Sequence, residues 1–146
     1  VDRLLILSCS QRKATTKDRL PAIDRYDGPA FRVLRKYLRE APPVVPVVLI
    51  LSAKYGLIAA DRRIEDYDCR LTASAAARLR PKVLEAVRRV LDSGEWSSVG
   101  VCASKVYRIA LDGLSELMHE GARLDLIEGG QGPRLTNLRA WLHQRE

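Results

Sequence analysis

Histidine is almost missing from these 146 residues: only His119 and His143 occur. Each falls near a predicted helix end, where a solvated polar role is ordinary. Their scarcity argues against a Ser–His or Cys–His nucleophile pair and against a histidine-rich metal site. Cysteine is scarce as well. Cys9, Cys69 and Cys102 are odd in number and show no Cys-x-x-Cys spacing, so neither a disulfide framework nor a zinc knuckle is indicated. No metal and no cofactor are expected. No apolar run approaches the roughly 20 residues of a membrane span. Leu4–Leu7 is too short for the core of a secretory signal. The expected location is the cytoplasm, with no membrane partner. Repeats, low-complexity segments and linkers are also lacking, which leaves one domain over residues 1–146. The oligomeric state stays open.

What is present begins with charge. Lys and Arg number 25 against 18 Asp and Glu, a formal net charge of +7. Such a balance favours an anionic partner, nucleotide or nucleic acid above all. The basic residues are spread along the chain with no block of five or six, so the charge supports that partner without locating it.

Four short apolar runs, Leu4–Leu7, Val44–Leu51, Val99–Ala103 and Leu124–Ile127, predict buried strands. None alternates cleanly, as expected of parallel strands covered on both faces. Helical patterns lie between them. Pro29 suits a first helical position, with Phe31, Leu34 and Leu38 on one face. Leu79, Val83, Ala86, Val87 and Val90 form a second stripe, with Pro81 either kinking that helix or marking its start. Ser104 is placed to cap a third helix carrying Ile109, Leu114 and Leu117. Gly132-Pro133 opens a fourth, with Leu135, Leu138 and Leu142 inward. The order predicts an α/β fold: a single three-layer domain, with an open, mostly parallel sheet of four to five strands and helices on both faces. Residues 10–28 and 55–73 read as two long connections, a length that in a compact domain points to function or disorder.

Ligands of open α/β sheets bind beyond the carboxyl ends of the strands. The first strand is followed by Cys9, Ser10, Gln11, Arg12 and Lys13. The second is followed by Ser52, Lys54 and Tyr55, and the third by Ser104 and Lys105. After the fourth come Glu128, Gly129, Gly130, Gly132 and Arg134. Each end thus delivers hydroxyls with cations, or glycines with a carboxylate. Gly129, Gly130, Gly132 and Arg134 suit a phosphate cradle, and equally a steric strand-to-helix turn. Cys9 reads either as a small buried residue or as a thiolate beside Arg12 and Lys13. Ser10-Gln11-Arg12-Lys13 has the Ser-x-x-Lys form of acyl-transfer enzymes, but the partner motifs are missing. Without a placed histidine, chemistry at a base–sugar bond falls to Glu128, Asp66, Asp68, Tyr55, Tyr67, Lys54 and Cys9, with Glu128, Asp68 and Tyr67 the leading candidates. Cys9, Arg12, Ser52, Lys54, Tyr67 and Glu128 are expected in one cleft. The 55–73 segment is expected to fold back and set Tyr67 and a carboxylate beside Ser52 and Lys54. A packing role for Tyr26, Tyr55 and Tyr67 stands beside that reading.

Three runs carry a resemblance. They are Ala22-x-x-x-Tyr26-Asp27-Gly28-Pro29-x-Phe31-Arg32, then Leu51-Ser52-Ala53-Lys54-Tyr55-Gly56-Leu57, then Ile64-x-x-Tyr67-Asp68-x-x-Leu71. Together with Cys9, Arg12 and Lys13 they resemble a widespread family of uncharacterised bacterial and archaeal domains. More distantly, they are similar to the YaaA peroxide-stress proteins. Ala60, Asp61 and Asp66 depart from that pattern, and the second half of the chain matches in element order only. The resemblance implies an α/β fold and a nucleic-acid or nucleotide partner. It also implies kinship with domains found beside tRNA-guanine transglycosylases and with DNA-glycosylase-like folds. On that basis the expected function is a metal-independent N-glycosidase or glycosyl transferase. The alternatives are a non-catalytic DNA-binding stress module and a binder of phosphorylated metabolites.

Overall fold

The apolar runs become the centre of a five-stranded sheet in the computed structural model, which describes residues 2–144. The elements are β1 (Asp2–Ser8), β2 (Leu20–Pro21), α1 (Ala22–Arg25), α2 (Pro29–Arg39), β3 (Val47–Ser52), β4 (Gly56–Ala59), β5 (Arg63–Ile64), α3 (Ala73–Asp92), β6 (Trp96–Cys102), α4 (Lys105–Ile109), α5 (Leu114–Leu117), β7 (Arg123–Leu126) and α6 (Gln131–Leu142). The sheet order is β4-β3-β1-β6-β7, with β3, β1, β6 and β7 parallel and β4 antiparallel at one edge. Alternate residues of β1 feed opposite cores. Leu4 and Ile6 pack with α3, α4 and α5, while Leu5 and Leu7 pack with α1, α2 and α6. The fold is therefore α/β with helices on both faces.

Several boundaries differ from the sequence reading. β3 begins at Val47 rather than Val44, because Pro42, Pro43 and Pro46 lack the N–H a ladder needs. β4 lies inside what reads as a loop. A three-residue turn, Ala53–Tyr55, joins it to β3, and Gly56 there has φ +75°. α3 starts at Ala73, capped by Thr72, whose Oγ1 accepts from the Ala75 amide at 3.2 Å. Pro81 lies within α3 and does not begin it. The expected third helix is two short ones, interrupted before Gly113 at φ +94°. Ser104 occupies the N-cap position of α4 but its side chain makes no capping bond. On α6, Trp141 joins Leu138 and Leu142 in the core, and Leu135 is only half-buried.

The two long connections are zipped together. β2 pairs with β5 through Leu20–Ile64 and Pro21–Arg63. Arg25, fully buried, locks the pair with no carboxylate partner among the described residues. Its guanidinium donates to the carbonyls of Ala14 (2.6 Å), Thr16 (3.1 Å), Asp18 and Ile64 (3.3 Å). These bonds hold residues 10–28 and 55–73 over the carboxyl edge of the sheet.

Candidate functional site

Parallel pairing puts Ser8, Ser52, Cys102 and Leu126 on one edge. β1 connects through α2 on one face to β3 on one side, and the chain then crosses the other face by α3 to β6 on the opposite side. The strand order therefore reverses between β1 and β6, the place where open α/β sheets leave a crevice. Ser8 Oγ bridges the gap by accepting from the Ser104 amide at 3.3 Å. Cys9, Ser10 and Ser104 wall two chambers, one on each face.

The first chamber, about 300 Å³, lies between the starts of α2 and α6. Its lining includes Phe31, Cys102, Leu135 and Arg134 and, among the described residues, no Asp or Glu. Neither helix has a side-chain cap or an acidic residue in its first turn. Both present partial positive charge there. The Arg134 Nε is buried and has no hydrogen-bond partner among the described residues. Burial pushes the Cys102 thiol up to about 11, against the opposing pull of Arg134. Gly28 makes the wall close-fitting: its amide donates to Ser10 Oγ at 3.1 Å, and a Cβ there would meet Ser10 Cβ at 2.7 Å. At the other helix, Gly129 has φ +120° and no room beside Pro133, a steric requirement. A Cβ at Gly130 or Gly132 would meet nothing within 4 Å, so the turn alone does not demand those glycines.

The second chamber, about 260 Å³, is bordered by Lys13, Asp68, Cys69, Arg70 and Tyr107. Cys9 Sγ lies 3.0 Å from the Tyr107 hydroxyl. Lys13 Nζ donates to the Gln11 carbonyl at 3.2 Å and sits 4.7 Å from the Tyr67 ring centroid.

At the carboxyl end of β3 is a hydroxyl cluster. Tyr26 donates to Ser52 Oγ at 3.2 Å, Ser52 and Tyr67 share a 2.9 Å bond, and Tyr26 and Tyr67 bond to each other. Ser52 also accepts from the amides of Lys54 (3.2 Å) and Tyr55 (3.1 Å), which shapes the turn into β4. Burial raises the Tyr26 phenol to about 12 and lifts Tyr67 and Tyr107 further. All three remain protonated donors at neutral pH. Lys54 and Arg62 stack over Tyr55, whose own hydroxyl is buried without a partner among the described residues.

The remaining expected residues lie around this centre. Tyr67 does reach Ser52, but the carboxylate beside Lys54 is Glu65 at 3.6 Å, neither Asp66 nor Asp68. Arg12 lies 3.7 Å from Asp27. Asp27 also takes a two-point bond from Arg32 and a 2.6 Å bond from Arg35, and the hydrogen bond from Arg32 leads in lowering its carboxyl to about 2. Sequence reading passed over Asp27 as a hub, since nothing local marks three arginines converging on it. Glu128 is exposed and committed to Arg108 at 2.6 Å, while its backbone carbonyl accepts from Asn137 at 2.9 Å. Neither Glu128 nor Lys105 borders either chamber. The single expected cleft is thus a two-chambered crevice with Arg12, Lys54 and Glu128 in ion pairs outside it. Among the described residues, no group of three or more His, Cys, Asp or Glu side chains is placed to hold a metal. No helix among them is long and apolar enough to cross a membrane.

Comparison with known proteins adds a fold and a family. The crystal structure of AF0587, a protein of unknown function, superposes with a TM-score of 0.60 at 13% identity. The alignment covers 99% of this chain and 46% of that one, so the chain spans about half the length of that structure. That likeness concerns the fold alone. A search of curated proteins found no match. Residues 4–140 match a family described as "Family of unknown function (DUF6884)", and the chain belongs to that family.

Proposed function

We propose that the chain binds a nucleotide, free or at the end of a nucleic-acid strand, in the crevice between β1 and β6. The phosphate goes to the α2–α6 chamber and the base or sugar to the Tyr107 chamber. The observation that carries this reading is the first chamber: two uncapped helix starts and Arg134 face it, with no carboxylate in its lining among the described residues. A bound phosphate would partner the guanidinium and the helix starts together. The chambers, about 300 and 260 Å³, lie at and just below the low end of the roughly 300–1,000 Å³ typical of small-ligand sites, and they adjoin across the shared wall of Cys9, Ser10 and Ser104.

A second reading, hydrolysis or transfer at a base–sugar bond, is favoured by Asp68. It borders the Tyr107 chamber and has no ion pair or hydrogen bond among the described residues, whereas Glu128 is spent on Arg108. In that reaction Asp68 would stabilise the oxocarbenium-like centre or orient water, with Tyr107 as a hydrogen-bond donor.

Calorimetric titration with nucleoside monophosphates, the matching nucleosides, and oligonucleotides with and without a 5′-phosphate tests the binding. Phosphate-bearing ligands should bind, more weakly as salt rises, and Arg134→Ala should lower affinity at least tenfold. Equal affinity for nucleoside and nucleotide, or no binding at low salt, refutes the reading. Free-base release that disappears in Asp68→Asn would support the second reading, and release that persists would remove Asp68 from it.

A further inference from the structure

Two of the three thiols border the same cavity. Cys9 and Cys69 both line the chamber that contains Tyr107. Cys9 is half-buried directly after β1, with its sulfur against the Tyr107 hydroxyl. Cys69 is exposed, midway between two anchors: Tyr67, bonded to Tyr26 and Ser52, and Leu71, buried in the core. Residues 65–71 form neither helix nor strand. Among the described residues no backbone–backbone hydrogen bond outside the regular elements involves them. The segment is pinned on both sides of Cys69.

We propose that Cys9 and Cys69 form a reversible disulfide by exchange with a low-molecular-weight disulfide, closing the Tyr107 chamber. The exposed Cys69 thiolate attacks one sulfur of the external disulfide and expels one thiolate, leaving a mixed disulfide on Cys69. The Cys9 thiolate then attacks the Cys69 sulfur, the new bond forms, and the second external thiolate leaves. Two protein thiols are oxidised and one external disulfide is reduced to two thiols, which take up the released protons. The Tyr107 hydroxyl, kept protonated by burial, is available to donate to the Cys9 sulfur as it becomes a thiolate. The bond requires Cα atoms about 4.4–6.8 Å apart, and residues 65–71, outside helix and strand, are where the chain would move to meet that requirement.

Cys102 shares the first chamber with Cys9, but it is set apart by burial. It is 2% exposed, lies in the paired part of β6 opposite Leu7, and burial holds its thiol at about 11. The inference rests on the placement of thiols and is independent of what the crevice binds.

The test is incubation of the folded chain with glutathione disulfide, acid quenching, alkylation after unfolding, and peptide mapping without reduction. The expected product has lost two hydrogens and contains a Cys9–Cys69 linked peptide, with Cys102 alkylated. Dithiothreitol should restore all three thiols. Cys9→Ser should trap glutathione on Cys69, and Cys69→Ser should yield no link. A Cys9–Cys102 link, a Cys69–Cys69 dimer, a glutathione adduct that persists in the unsubstituted chain, or no reaction would each overturn the proposal.

Discussion

Raising the pH from 9 to 12 should destabilise this protein through its buried phenols. Tyr26 is fully buried in the Ser52–Tyr67 cluster, and its phenol is raised from 10.0 to about 12, chiefly by burial. Between those values the unfolded phenol ionises while the folded one keeps its proton. The unfolded state then binds fewer protons, so stability falls as pH rises, and the contribution is full only below pH 10. Two pH units correspond to about 3 kcal/mol. Tyr67 and Tyr107 are shifted in the same direction and add to the loss. That is a large part of the roughly 5–15 kcal/mol available to an ordinary domain. The assay pairs urea unfolding followed by circular dichroism at each pH with ultraviolet difference absorbance for tyrosinate. At pH 11 the folded protein should show about three fewer tyrosinates than the urea-unfolded chain, and the urea midpoint should already have dropped. Tyr26→Phe should cost about 1 kcal/mol at pH 7, by leaving Ser52 and Tyr67 short of a partner, yet lose stability less steeply above pH 10. Full titration of all five tyrosines near pH 10 in protein that remains folded would refute the burial argument.

At the acid end, Asp27 is held at about 2, so the stability it provides is complete above its unfolded value near 4 and is lost as pH falls toward 2. Asp27→Asn should flatten that limb of the pH–stability curve, measured by thermal melts. Arg25→Lys should destabilise the fold by about 2–4 kcal/mol in urea titrations, because one ammonium cannot reach the four carbonyls the guanidinium serves. Glu128→Gln should change stability by less than about 1 kcal/mol, since its pair with Arg108 is solvent-exposed, and should leave nucleotide affinity unchanged in calorimetry. A tenfold loss of affinity there would return Glu128 to the site.

Much of the fold is legible because its causes are local. Four runs of Val, Ile and Leu separated by helical stripes admit few arrangements other than a parallel sheet with helices on both sides. Cys9, Ser104 and Glu128 lie beyond strands as expected, Ser52 is the last residue of β3 rather than the residue after it, and all four stand on one edge. β4 escaped because Gly56–Ala59 is too short to carry a period and becomes a strand only through the β3 edge it covers. β2 and β5, two residues each, exist only through one another. Arg25 looked like any surface arginine, since the carbonyls that bury it come from residues 14–18 and from Ile64.

The sequence by itself determined the alternation of strands and helices, the basic balance, and the supply of hydroxyls, cations and glycines at strand ends. These follow from side-chain periodicity, formal charge and backbone sterics, all properties of near neighbours. Which of those groups act together was decided only by tertiary structure. The reversal of strand order between β1 and β6 gathers Cys9, Ser10, Ser104, Arg134 and Tyr107 around one crevice, while Arg12, Lys54 and Glu128 are drawn off by Asp27, Glu65 and Arg108. An ion pair depends on distance in space, and no spacing along the chain records that Arg108 and Glu128 would meet.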